Sequence, residues 1–388
     1  MTAHACVIGG GVIGLSCAVH LAQRDWDVTL VEQDQLTSGS SSLSVGVYTR
    51  QYTDEFDIAM RMYCVEELEQ LERDHGLHMR RIGYLRLAHD RPTLTQLANG
   101  LEVQRALGLD DGALLDRDDL RRCLPAMRVD DLAGGLLGQT DGYLDGHELC
   151  MTYADIATRL GAEICTKTKL VGATRTAAGS HRLETTRGEI DCDVVVNAAG
   201  PWAERVGLVI GAPLEIIPQR HEASVIALDK PLDYTVPETM DYIQGSGIEG
   251  LYFRQERADA LIAGLHTNDL LVGQREDPDD YFRGVDARFE ELLAQKLLDR
   301  LPGLQMSIQS GWAGLYPMSR DAQPVVGPHW NDHSVICACG LGGLGIHLSP
   351  AVGRMVSEFA AHGRVEFLSG YERLSPARFA AASLNRAC

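Results

Sequence analysis

The chain has 388 residues and a mass of 42.3 kDa, with 45% apolar residues, 23% charged residues and a formal net charge of −19. That composition is globular and the length suits two domains, which excludes a disordered chain, a coiled coil or a collagen-like chain. The acidic balance, 35 Lys+Arg against 54 Asp+Glu, repels phosphate backbones and anionic lipid, so neither nucleic acid nor a membrane surface is an expected partner.

No apolar run approaches the ~20 residues of a membrane helix, and no charged segment precedes an apolar one in the manner of a secretory signal. The ten cysteines are irregularly spaced and form no CxxC pair. They read as small buried hydrophobes of a reducing, cytoplasmic compartment. Cys337 and Cys339 have no second pair to complete a ligand set, so no metal is expected.

The N-terminus carries the first chemical signal. Ala5–Ile8 predicts a strand, Gly9-Gly10-Gly11-Val12-Ile13-Gly14 a glycine turn, Leu15–Arg24 a helix, and Val28–Val31 a second strand ending at Glu32. Gly9 permits the tight turn, Gly11 lets the backbone approach a pyrophosphate, and Gly14 lets helix and strand pack closely. The helix start offers free N–H groups to phosphate, and Glu32 can accept both hydroxyls of an adenosine ribose. An acid at that position disfavours a 2′-phosphate, which leaves NAD or FAD.

Beyond Glu32, Leu36–Ser42 is a loop of small hydroxyl residues suited to phosphates and a ribityl chain. A short strand over 45–49 ends at Arg50, and Ile58–Leu71 predicts a helix. A strand at Thr168–Val171 and a buried strand within Asp193–Gly200 follow. Residues 216–228 and 251–265 are strand-like, and Phe289–Leu301 reads as an amphipathic helix. Val335–Gly340 is a further buried strand. It leads through Leu341-Gly342-Gly343-Leu344-Gly345-Ile346-His347 into a helix over 349–361. A glycine-rich helix start again suits a negative partner, such as the edge of a reduced flavin.

These segments together resemble the FAD-dependent D-amino-acid oxidase superfamily, on the side of sarcosine oxidase, dimethylglycine dehydrogenase, glycine oxidase and D-amino-acid dehydrogenase. The resemblance rests on VIGGGVIGLSCAVHLAQRDWDVTLVEQ at the start and DGYLDGHEL at 141–149. It rests also on VVVNAAGPWAERV at 194–206, WAGLYPMSRDAQPVVG at 312–327 and GLGGLGIHLSP at 340–350. It implies an α/β, Rossmann-like FAD domain from 1–85, 145–215 and 312–388. An α+β substrate domain with a large antiparallel sheet would come from 86–144 and 216–311.

The resemblance also assigns cofactor contacts. Gly9, Gly11, Val12, Ile13 and Gly14 would hold the pyrophosphate and Glu32 the ribose. Ser41 and Ser42 match the hydroxyl loop, although Leu43 and Ser44 replace the basic residue and Asn that often follow. Val171 would lie by the adenine, Gly200 and Trp202 beneath the cofactor, and Gly342, Gly343, Leu344, Gly345 and Ile346 at the flavin pyrimidine edge. Relatives that tether FAD covalently use a Cys where Gly314 stands, or a His after the hydroxyl loop. Neither is present, so non-covalent FAD is expected.

On the substrate side the resemblance implies hydride transfer from an α C–H to flavin N5, with a cation to hold a substrate carboxylate. Candidates are Arg50, Arg254, His266 and His347, with Tyr252 sharing a strand face with Arg254 and His221 as a weaker cavity residue. Three functions fit: oxidation of a C–N bond in an amino acid or secondary amine, oxidation of a C–O bond in a 2-hydroxy acid, or a non-catalytic FAD subunit. The partners implied are a small amine or amino acid and either O2 or an electron-acceptor protein or quinone. A homo-oligomer or hetero-complex is compatible. Ile262 stands where the oxygen-activating lysine of sarcosine oxidase would be, so a dehydrogenase is favoured over an oxidase.

Overall fold

The computed structural model describes residues 2–177, 179–242, 249–267, 270–271 and 273–380. Residues 243–248, 268–269 and 272, close to Tyr252, Arg254 and His266 in sequence, lie outside the described residues, as do 381–388.

The first sheet has six strands in the order Val325–His329, Asp332–Cys339, Val194–Asn197, β1 (His4–Ile8), β2 (Asp27–Val31) and Glu163–Cys165. All neighbours are parallel except the Val325–His329 edge. In β1, Ala5, Cys6 and Val7 are fully buried, the unbroken apolar run of a strand covered on both faces. Helix α1 (Val12–Ala22) packs on this sheet beside the helices Gly146–Arg159 and Gly345–His362. Ser16 Oγ donates to Ser349 O at 2.7 Å, which ties α1 to the last of these.

The second sheet has eight strands, in the order Met306–Met318, Ile217–Leu228, Ala260–His266, Gly250–Arg257, Glu238–Asp241, Tyr84–Ala88, Gly134–Gly138 and Gly112–Leu115. Its two faces differ because side chains alternate along each strand. Ile226, Leu251, Phe253, Leu261, Ala263 and Leu265 face a core closed by Phe289, Leu293 and Leu297 of the Ala287–Arg300 helix. The residues between them, among them Arg86, Glu238, Tyr252, Arg254, Ile262 and His266, fall on the opposite face.

This sheet is the large antiparallel sheet expected, with two details that the sequence reading did not contain. Glu238–Asp241 runs parallel to Tyr84–Ala88, so the sheet is antiparallel except at one pair. The expected boundaries at 85 and 311/312 cut through the strands Tyr84–Ala88 and Met306–Met318, both members of this sheet. Gly142–Leu144, expected on the substrate side, instead pairs with Val47–Tyr48 and Met79–Arg80 in a separate three-stranded sheet. Hydrogen-bond pairing, which sequence pattern does not encode, sets these limits.

The predicted 58–71 helix extends over Glu55–His75. Asp54 caps its start by accepting from Asp57 N, and Gly76 ends it in the left-handed region with φ +73°. The predicted 45–49 strand shortens to Val47–Tyr48, and the 168–171 strand begins at Leu170 and continues to Arg175.

Candidate active site between the two sheets

One continuous cavity runs from the end of β1 to the polar face of the eight-stranded sheet. At its nucleotide end the glycine turn is enforced by contact. A Cβ on Gly9, whose φ is +116°, would lie 2.4 Å from Ala198 O, and one on Gly14 would lie 1.9 Å from Gly9 O. Gly14 therefore serves helix–strand packing and does not line the cavity, whereas Gly9, Gly11, Val12 and Ile13 do. A Cβ on Gly11 would meet only Ser41 Oγ, at 3.1 Å, so this glycine leaves room on the cavity side.

The surrounding loops are pinned to the same turn. Val12 N donates to Ser41 Oγ at 3.0 Å, Gly10 N to Glu32 Oε2 at 2.7 Å, and Asp34 N to Glu32 Oε1 at 2.8 Å. Gly200 and Trp202 line the next stretch, and Trp202 Nε1 donates to Asp279 at 2.7 Å. Gly342 to His347 line the far wall, where the Gly345–His362 helix starts without a side-chain cap. Its first N–H groups supply partial positive charge there.

Two expected contacts besides Gly14 are not brought to the cavity. Val171 is 55% exposed and outside the lining, because the residues of the turn before its strand, Thr168 and Lys169, together with Leu170, face the cavity instead. Ser42 turns away and donates to Thr37 O at 2.7 Å, so that of the two expected hydroxyls only Ser41 lines the cavity. The cradle still fits a dinucleotide: two glycines that tolerate no Cβ, one that leaves space for phosphate, and a carboxylate at the ribose distance along the strand.

The substrate end is walled by the polar face of the large sheet. Tyr252, His266 and His221 line it, with Tyr316 stacked on His221 at 3.9 Å between centroids. His266 meets Tyr316 and Tyr242 edge-on at 6.1 and 6.0 Å. Burial pushes His221 down to about 3. Burial, with Arg61 and Arg50 nearby, holds His347 well below the usual imidazole range. Both are neutral at pH 7, so His347 is no cationic anchor. Its Nδ1 accepts from Thr49 N at 3.4 Å.

The two expected arginines are engaged elsewhere. Arg50 is outside the lining, and its guanidinium pairs with Asp141 at 3.0 Å and Asp111 at 2.9 Å. Arg254 stacks on Tyr143 at 3.5 Å, donates to Glu256 at 2.5 Å and to Val45 O at 3.2 Å, and borders a separate hollow with Ile262. These are ion pairs within the fold: Glu256 is a sequence neighbour of Arg254, whereas Asp141 and Asp111 reach Arg50 from distant segments.

Among the described residues the cations that line the cavity are Lys169, Arg205 and Arg373, the two arginines paired with Asp279 and Asp54, together with Arg61 and Arg86. Arg61 is buried, pairs with Asp57 at 2.6 Å and lies 3.5 Å over the Tyr52 ring. Arg86 is half-buried, donates to Gln51 O at 2.8 Å and, among the described residues, has no carboxylate partner. Signals for both were present: Arg61 sits on the buried stripe Ile58–Arg61–Val65–Leu68 of its helix, and Arg86 alternates with Leu85 and Leu87. Glu238, 1% exposed on the same sheet face, was also missed.

Burial pushes the Glu238 carboxyl up to about 7, with Arg254 only partly opposing it. Its value in an unfolded chain is near 4.5. Between those values the folded protein holds a proton that the unfolded chain has lost, so stability falls as pH rises through this window, by about 3 kcal/mol at most. Glu238→Gln removes that loss. Thermal midpoints measured from pH 5 to pH 8 should show the variant gaining on the parent as pH rises; parallel curves would contradict the assignment.

The comparisons with known proteins agree with this geometry. A family model described as FAD dependent oxidoreductase (DAO) matches residues 4–359. Mitochondrial dimethylglycine dehydrogenase of Homo sapiens is 27% identical over 383 residues, covering 94% of this chain but 43% of that protein, so the chain spans less than half of that relative's length. Glycine oxidase of Geobacillus kaustophilus is 26% identical and covers 93% of each chain. The crystal structure of L-proline dehydrogenase from P. horikoshii has the same fold, with a TM-score of 0.85, 24% identity and 98% coverage of both chains. A dinucleotide cradle facing a polar sheet wall, in a chain matched over nearly its whole length, places this protein in the DAO family of FAD-dependent oxidoreductases, with FAD as its cofactor.

Proposed function

We propose that the chain oxidises the C–N bond of an amino acid or of a secondary, N-methylated amine, giving an imine that hydrolyses. The observation that carries this reading is the substrate wall: an acid (Glu238), a cation without a carboxylate partner among the described residues (Arg86), and an aromatic cluster share one sheet face opposite the glycine-led helix start. An amino acid presents a cationic nitrogen, an anion and apolar carbon, the three kinds of group this wall can meet. Relatives named for dimethylglycine, sarcosine and glycine support the same substrate class.

Bound FAD supplies the hydride acceptor at its N5. The protein's own tasks are to hold the α-carbon over that atom and to exclude water from the product. Arg86 anchors the substrate carboxylate, with Arg61 and Tyr52 stacked behind it. Tyr252, Tyr316 and the neutral His221 supply a dry, hydrogen-bonding wall, because burial keeps their titrating groups uncharged. Arg50 and Arg254 act through the fold, by joining chain segments around the cavity.

FAD is held non-covalently. Acid precipitation should release all of it, and Gly11→Val should give folded apoprotein, since the added side chain meets only Ser41 Oγ in the protein and otherwise fills the phosphate approach; yellow colour left in the acid pellet would refute this. Anaerobic screening should find flavin bleaching by amino acids or N-methyl amines and not by 2-hydroxy acids. For a carboxylate-bearing substrate, Arg86→Ala should lower kcat/KM by about 10- to 100-fold, as expected for a charge-assisted bond worth about 1.5–3 kcal/mol, while Arg50→Ala mainly lowers the thermal midpoint. Bleaching by hydroxy acids alone would favour the C–O reading.

The dehydrogenase reading rests on Ile262, which offers no positive charge for superoxide. Arg254 lies opposite it in the ladder but is committed to Glu256. Turnover with an artificial acceptor dye should exceed turnover in air, and Ile262→Lys should raise the oxygen rate. Stoichiometric, rapid hydrogen peroxide from the unaltered enzyme would overturn it.

A further inference from the structure

Oxidation of an amine needs its nitrogen lone pair, yet amines near neutral pH arrive as ammonium cations. A site that accepts the cation must hold an anion against it and then take its proton. The carboxylates that line the cavity, among the described residues, are nearly all committed. Glu32 accepts two backbone N–H groups, Asp57 pairs with Arg61, and Asp54 pairs with Arg373. Glu222 accepts from Arg220 and from Asp286 N, and Asp279 from Trp202 and Arg205.

Glu238 is the exception. It is 1% exposed, it lines the substrate end, and its Oε2 is buried with no hydrogen-bond partner among the described residues. Arg254 Nε is the nearest cation at 3.9 Å, beyond hydrogen-bonding distance, and Arg254 spends its other nitrogens on Glu256 and Val45 O. Buried carboxylate oxygens are ordinarily satisfied, so an orphan on a cavity wall calls for an explanation, and a donor brought by a ligand is one.

We propose that Glu238 is the counter-ion and proton acceptor for the substrate's cationic amine, and so sets the enzyme's preference for amines over hydroxy acids. This rests on the C–N reading given above. In the step, an N–H bond of the ammonium breaks and an O–H bond to a Glu238 carboxylate oxygen forms. The pair left on nitrogen becomes the C=N π bond as the α C–H pair departs as hydride to the flavin. One proton goes to Glu238 and one hydride leaves the substrate, which is oxidised by two electrons to the imine cation. A hydroxy acid brings no cation and gains nothing from an anion at this place.

The groups facing Glu238 suit this role. Tyr84 on the neighbouring parallel strand and Tyr252 across the antiparallel pair are pushed up by burial and stay protonated, as does Tyr316. Arg254 is the cation beside it, and Glu249 is the other acid that acts on Tyr252 and Tyr316. Glu238 is therefore ready to exchange a proton near pH 7, where the three tyrosines stay protonated.

Two non-oxidisable probes of similar shape separate charge recognition from packing: glycine betaine, a fixed cation without a lone pair, and (methylthio)acetate, its neutral thioether counterpart. Each is titrated into the oxidised holoenzyme at pH 6 and pH 8, reading flavin absorbance. Betaine should bind the unaltered enzyme more tightly than the thioether, and more tightly at pH 8 as Glu238 ionises. Glu238→Gln should lose about tenfold or more in betaine affinity and lose its pH dependence, with the thioether within about twofold. Glu238→Asp should retain the preference for the cation. No preference for betaine in the unaltered enzyme, or equal losses for both probes in Glu238→Gln, would overturn the proposal. An enzyme bleached by amines yet lacking this charge preference keeps the C–N reading and loses the role of Glu238; one bleached only by hydroxy acids loses the reading itself.

Discussion

The close approach of Gly14 to Gly9 governs the geometry of the cavity. With no Cβ on either residue, the first turn of α1 lies directly on the end of β1; a Cβ at Gly14 would stand 1.9 Å from a carbonyl oxygen. The same turn is pressed against Ala198 at the end of the neighbouring strand, so the β1–α1 turn and a segment more than 180 residues away in sequence converge where the helix N-terminus opens. Glu32 and Ser41 are then fastened to that turn by backbone donors. The phosphate cradle is thus a consequence of helix–strand packing, and a substitution that lifts α1 from β1 would damage both together.

The second constraint is the pleat of the eight-stranded sheet. Burying Leu251, Phe253, Leu261 and Leu265 against the Ala287–Arg300 helix obliges Tyr252, Arg254 and His266 to face the other way. Hydrophobic burial therefore aims the polar wall at the cofactor cavity. Charges on that side are sorted by what else they can reach. Arg254 finds Glu256 and Tyr143, while Arg50 finds Asp141, whose carboxyl is pushed up by its own burial and pulled back by that arginine. Burying an unpaired charge costs several kcal/mol, so these pairs hold firmly and keep Arg254 and Arg50 out of the cavity lining.

The sequence by itself determined the local chemistry of the nucleotide site. Glycine spacing, the apolar run of β1 and the acid ending β2 are features of neighbouring residues, and their physics is short-ranged: a φ value, a free N–H, a carboxylate at the end of a strand. Gly9, Gly11, Val12, Ile13, Glu32 and Ser41 stand in the cavity for that reason, as do the glycines from 342 to 345. The helices expected over 15–24, 58–71, 289–301 and 349–361 followed from the same periodicities, whereas those at Arg91–Ala106, Arg117–Cys123, Gly146–Arg159 and Ala203–Val209 were not anticipated. The caps Asp54 and Gly76 set the ends of the second helix, and sheet pairing set those of the strands.

Only the tertiary structure decided which charged residues face the substrate. Arg50, Arg254, Arg61 and Arg86 look alike in sequence, each near acids or in a plausible strand or helix. What separates them is whether a carboxylate from a distant segment reaches them first: Asp141 and Asp111 for Arg50, and for Arg86 none among the described residues. Glu238 is set apart in the same way, by the 3.9 Å that keeps Arg254 from satisfying it. Pairing of charges is a matter of through-space distances between strands brought together by hydrogen-bond register, and such distances exist only once the sheets have formed.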